Sequence, residues 1–134
     1  MAIDKAEGIL SHPNEGKSGG ACLLSAQYDH DEEAYVDGGN KWYLLNRLDA
    51  PTSGVILLAT DREVAVAAKA AFADHSVKKS YLALVKGIPV RKKDCWRDCL
   101  IIDRKGGMLR TRVIQGKANS ESSILLKQRG EGPP

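Results

Sequence analysis

The apolar residues of this chain come in short runs, broken repeatedly by glycine, proline and charge. From Ile3 to His12 the pattern is mixed and ends in His-Pro, a pair that disfavours helix. Residues 13–20, PNEGKSGG, are turn and loop material. Ala21 to Gln27 fits a short helix. Tyr28 to Gly39 is dense in Asp and Glu and reads as an acidic loop, long enough to be either functional or mobile. Trp42 to Leu45 reads as a short apolar strand. Pro51-Thr52-Ser53-Gly54 then breaks the chain, and Val55 to Ala59 (VILLA) reads as a strand buried on both faces.

Thr60 and Glu63 have the spacing of a capping box. The helix they open runs to about Asp74 and sets Val64, Ala68 and Phe72 on one stripe. Lys79 to Val85 alternates as a strand should, with Tyr81, Ala83 and Val85 on one side and Leu82 and Leu84 on the other. Cys99 to Ile102 and Leu109 to Ile114 flank DRKGG as a hairpin whose Arg110 and Arg112 share a face. Ser122 to Leu126 is a last strand. Many neighbouring strands and few helices predict an α+β fold with a mixed, largely antiparallel sheet.

Composition adds that 134 residues, 43% of them hydrophobic, are enough for a real core, built mainly of aliphatic side chains because aromatics are only 5%. No apolar run approaches the roughly 20 residues of a membrane span, and MAIDKAEGIL lacks the layout of a secretory signal, so a soluble, cytoplasmic protein is expected. Cys22, Cys95 and Cys99 are too few for a disulfide framework, and no second ligand pair joins Cys95 and Cys99 to make a zinc site. Charge is uneven. Residues 1–40 carry two basic and eight acidic residues, residues 41–134 eighteen and nine. The basic portion suits a polyanion such as nucleic acid, and equally an ordinary solvated surface.

Arg47-Leu48-Asp49 is the segment most open to chemistry. Charged groups between apolar strands are costly unless paired or used, and a loop held by two strands is where working side chains collect. Those residues by themselves leave two readings, a structural Arg-Asp pair at a strand end or a site. His12, His30 and His75 show no common spacing and read as surface or loop residues. Arg91-Lys92-Lys93 could bind phosphates or simply be a solvated turn. Lys17 to Gly20 (KSGG) lacks the rest of a phosphate-loop pattern.

NRLDAPTSGVILLA, residues 46–59, resembles the signature of the RluA-type pseudouridine synthases: His-Arg-Leu-Asp, two variable residues, Thr-Ser-Gly, then an apolar strand. DKAEGILSHP, residues 4–13, resembles the family's first motif, and KSYLALVKG, residues 79–87, resembles the motif that carries its active-site tyrosine. The resemblance implies an RNA-modifying isomerase that flips a uridine in ribosomal or transfer RNA and needs no cofactor or metal. It implies Asp49 as the nucleophile, Tyr81 as the second catalytic residue, packed against the uracil, and Arg47 as the arginine that enters the RNA stack. Asn46 and Arg91-Lys92-Lys93 join the expected RNA contacts, while Thr52, Ser53 and Gly54 shape the loop.

Asn46 stands where the family usually has histidine, a change expected to act on local hydrogen bonding rather than on the chemistry. The family's later motif, with a basic residue that pairs with the catalytic aspartate, has no counterpart after Ser120. Residues 1–134 are therefore expected to be the N-terminal and central part of the catalytic domain, its C-terminal part missing. The alternative is a catalytically silent relative that only holds RNA.

Overall fold

The computed structural model describes residues 1–14, 20–105 and 108–127. The chain divides into two compact units, Met1–Ser80 and Tyr81–Pro134. The first holds β1 (Ala2–Lys5), β2 (Gln27–Asp29), β3 (Ala34–Asp37), β4 (Asn40–Leu44), β5 (Gly54–Ala59) and α1 (Arg62–Ala73). Its sheet has the order β1-β5-β4-β3-β2, and every neighbouring pair is antiparallel. The second unit is an antiparallel sheet, β7 (Met108–Ile114), β6 (Lys93–Lys105) and β8 (Ser120–Leu125), in the order β7-β6-β8. The α+β, largely antiparallel fold expected from the sequence is the fold observed.

Two apolar clusters hold the first unit together. Tyr35, Leu44, Ile56 and Leu58 form one, with Leu48 from the β4–β5 connection packed against it. Ala34, Tyr43, Ala59 and Ala65 form the other, which seats α1 on the sheet. The strand Val55–Ala59 is buried mainly on one face, since Val55 is exposed while Ile56 and Leu58 are not.

Several local expectations are corrected. The helix is capped by Asp61, not Thr60: the Asp61 Oδ1 accepts from the Val64 N–H at 2.9 Å. Its buried residue is Ala65, and Val64, which the stripe placed inward, is exposed. A small residue faces the sheet because it lets the helix axis lie close to β4 and β5. Ala21 to Gln27 is not helical; Cys22 makes a parallel bridge to Leu10 and the chain bends into β2. The acidic stretch Tyr28 to Gly39 is mostly the β2–β3 hairpin, and its Tyr35 is wholly buried. Ile3, mixed in pattern, lies in a strand because β5 offers its edge to β1.

The alternating segment Lys79–Val85 forms no strand among the described residues, and Leu82 is 90% exposed. Alternation favours a pleat, but a strand also needs a neighbour to take its N–H and C=O groups, and none pairs with this segment here. The hairpin after it is longer than the pattern suggested. Its partners run from Cys99↔Ile114 to Lys105↔Met108, and β6 continues back to Lys93 to pair with β8. Of the KSGG segment, residues 17–19 lie outside the described residues.

Candidate functional site

Asn46, Arg47 and Asp49 share one connection, residues 45–53, between the antiparallel neighbours β4 and β5. The connection leaves the sheet gradually. The last residue pair of the ladder is Leu44↔Leu58, after which the Leu45 N–H still donates to the Leu57 carbonyl at 2.9 Å. The side chain of Asn46 then takes over. Its Oδ1 accepts from the Leu57 N–H at 2.8 Å and its Nδ2 donates to the Val55 carbonyl at 3.1 Å. One carboxamide thus supplies both the acceptor and the donor that another strand residue would have offered the β5 edge. Asn46 is half-buried and spends both its polar atoms on the protein backbone.

The far side of the loop is held by the segment that follows β1. The buried hydroxyl of Ser11 donates to the Leu48 carbonyl at 2.6 Å and accepts from the Leu48 N–H at 3.0 Å. The Ser11 carbonyl is itself fixed by the Tyr35 hydroxyl, which donates to it at 2.8 Å. Two residues on, the Ala50 carbonyl accepts from the Gly8 N–H at 2.7 Å and from Lys5 Nζ at 3.2 Å. Lys5 is only 1% exposed, and its ammonium also donates to the carbonyls of Ile9 at 2.7 Å and Ala6 at 3.1 Å. Three donors meet three carbonyls, so among the described residues a buried charge is solvated by peptide dipoles rather than by a carboxylate.

Asp49 lies between these two clamps. Its backbone carbonyl accepts from the Thr52 N–H at 2.9 Å, closing a tight turn over Ala50-Pro51. Its side chain is exposed, and among the described residues no hydrogen bond or ion pair reaches the carboxylate. Gly54 ends the turn at φ +132, a region that favours glycine, with the Leu48 side chain 3.7 Å from where a Cβ would stand. The loop is rigid where its backbone is clamped and open where its carboxylate stands.

Arg47 makes no ion pair with Asp49 among the described residues. It faces Glu33 instead, Nη1 lying 3.8 Å from Oε1, while Glu33 Oε2 accepts from Lys69 of α1 at 2.7 Å. The Lys69 hydrogen bond is the largest influence holding the Glu33 carboxyl below its ordinary range, ahead of the nearby Arg47 and His12. Beside this group His12 stacks on Tyr28, ring centroids 5.0 Å apart, and His30 meets Tyr28 edge-on at 4.9 Å. The sequence offered no sign of this cluster, since His12 and Tyr28 are brought together only by the packing of the β2–β3 hairpin on the first segment. Burial, with Glu33 second, pushes the Tyr28 hydroxyl up to about 12.

The remaining expected residues lie in the second unit. Tyr81 is 67% exposed. Arg91 lies 3.9 Å from Asp94, an exposed pair worth little, and Arg91, Lys92 and Lys93 are all exposed at the start of β6. Among the described residues no three His, Cys, Asp or Glu side chains gather as metal ligands, and no helix is long and apolar enough to cross a membrane.

The antiparallel α+β fold thus clamps an Arg-Leu-Asp loop against a lysine-bearing first segment. The family model described as RNA pseudouridylate synthase matches residues 1–130, and the chain belongs to that family. It is 33% identical over 87 residues to RNA pseudouridine synthase 1 of Arabidopsis thaliana, covering 65% of this chain and 23% of that protein. It is 33% identical over 93 residues to an uncharacterised RNA pseudouridine synthase of Haemophilus influenzae, covering 69% and 38%. With tRNA pseudouridine synthase C of Pasteurella multocida it shares 49% identity over 93 residues, covering 65% and 33%. The chain therefore spans well under half the length of these curated relatives. No solved structure matches it.

Proposed function

We propose that the protein serves as an RNA pseudouridine synthase, isomerising a uridine of ribosomal or transfer RNA in the cytoplasm, with Asp49 as the nucleophile. The observation that carries this reading is the exposed Asp49 carboxylate on a loop whose backbone is clamped at Leu48 and Ala50. A nucleophile must be held in place and yet be open to its substrate, and both conditions are met at Asp49. The reaction breaks the bond between C1′ and N1, turns the uracil, and joins C1′ to C5. N1 gains a proton and C5 loses one, so the product is an isomer and no electrons are exchanged with a partner.

In this reading Arg47 replaces the stacking lost when the uridine leaves the helix, its planar guanidinium suiting that role. Tyr81 belongs to the segment that resembles the family's tyrosine motif, and Arg91, Lys92 and Lys93 are exposed cations suited to phosphates. Asn46 supports the site through β5 rather than through the base. Transfer RNA is the first substrate to try, because the relative sharing 49% identity bears that name.

The test is pseudouridine formation on unmodified transfer and ribosomal RNA, mapped by carbodiimide stops, with the parent chain and Asp49→Ala. Product from the parent and none from the variant supports the reading, and the mapped position names the target. If this chain and one extended past Pro134 both bind RNA but make no product, the protein is a silent RNA-binding relative.

A further inference from the structure

We infer that Glu33 is a positioning residue for Arg47, holding its guanidinium beside the β2–β3 turn until RNA draws it away. The inference rests on the reading of this site as an RNA site. Glu33 is itself anchored at three points. Its backbone adopts φ 50, the left-handed region that non-glycine residues seldom occupy. Its carbonyl accepts from the Leu44 N–H at 2.8 Å, and Lys69 grips Oε2 at 2.7 Å. The carboxylate therefore cannot follow Arg47 when the arginine moves.

The hold on Arg47 is weak by comparison. At 3.8 Å the contact is an ion pair outside hydrogen-bonding range, and the Arg47 side chain is 60% exposed. A polyanion can replace one such carboxylate readily, and until it does the pair biases the arginine toward the turn. Glu33 also sets a charge cost. Its carboxylate adds to the negative charge of Asp29, at the end of β2, and of Asp31 and Glu32 in the turn, of which Glu32 is paired with Lys41 at 2.7 Å. RNA that cannot engage Arg47 gains nothing to offset that repulsion, so the arrangement favours RNA in which the arginine has somewhere to go.

The experiment is fluorescence anisotropy of a labelled stem-loop RNA with an unpaired uridine, over a potassium chloride series. The proteins are the parent, Glu33→Gln, Arg47→Ala and the double variant. Glu33→Gln keeps the shape of the side chain and removes its charge. It is expected to bind about two- to fivefold more tightly at low salt. The slope of log affinity against log salt should change by well under one, because Arg47 reaches the RNA in both proteins. In the Arg47→Ala background the same change should do almost nothing, because the effect passes through the arginine. Equal tightening in both backgrounds would overturn the inference in favour of general repulsion by the acidic turn. Unchanged or weaker binding by Glu33→Gln would also overturn it, as would a fall in melting temperature and affinity matched by Lys69→Ala, the mark of a purely structural tether. If the parent bound no RNA under any salt condition, the RNA reading itself would fall, and the role of Glu33 with it.

Discussion

One hydroxyl, that of Ser11, makes two hydrogen bonds to a single backbone residue, Leu48: it donates to the carbonyl at 2.6 Å and accepts from the N–H at 3.0 Å. The two residues are 37 positions apart, and their union is what joins the first segment to the loop of Asp49. Ser11→Ala should leave both groups of Leu48 without this partner in a half-buried place, at a cost of about 1–2 kcal/mol. Hydrogen exchange would report it directly. The Leu48 amide should lose protection well beyond that of the Ile56 amide in the same unit. Equal loss at both would mean global destabilisation without local loosening of the loop.

Lys5 tests whether three carbonyls are enough to justify a buried ammonium. Lys5→Met keeps most of the stem and removes the charge, and should cost about 1–3 kcal/mol through the acceptors it leaves unpaired. Lys5→Ala opens a cavity as well and should be worse by about 1–2 kcal/mol. Urea midpoints at constant slope would measure both. A Lys5→Met protein as stable as the parent would show that the ammonium's desolvation outweighs its three bonds.

Tyr28 and Tyr35 should make the fold sensitive to alkali. Burial is the leading cause in both of a shift from 10.0 to about 12. Folding binds these two protons more tightly than the unfolded chain does. Their contribution to stability is therefore complete below pH 10.0 and is lost as the pH rises towards about 12. Denaturation midpoints should fall across that window, and tyrosinate absorbance should rise together with the unfolding signal. Tyr28→Phe should blunt the fall without touching the Ser11 bond made by Tyr35. The same alkaline decline in that variant would place the effect elsewhere.

Much of the architecture can be recovered from local pattern. The strands around Trp42–Leu44 and Val55–Ala59, the β6–β7 hairpin and the body of α1 follow from short apolar runs and the charge and turn residues between them. They are legible because the apolar runs and the turn residues that bound them are themselves local, even where, as for β5 on β1, the partner strand is far away in sequence. Tyr35 shows the opposite case. It sits in an acidic stretch with no apolar run, and only the sheet, by placing it against Leu44, Ile56 and Leu58, makes it core. Lys79–Val85 has the alternation of a strand and no strand structure among the described residues, because a ladder depends on a second segment that alternation cannot supply.

The candidate site divides along the same line. Sequence by itself determined the order Arg47-Leu48-Asp49, the turn after it and the family to which they belong. Only the tertiary structure decided that Arg47 faces Glu33 rather than Asp49, that Asn46 completes the β5 edge, and that Lys5 and Ser11 clamp the loop. The physical reason is one of range. Propensity and spacing act over a few residues, while a buried ammonium or hydroxyl takes whatever carbonyl the packed chain brings within 3.2 Å, here 37 and 45 positions away.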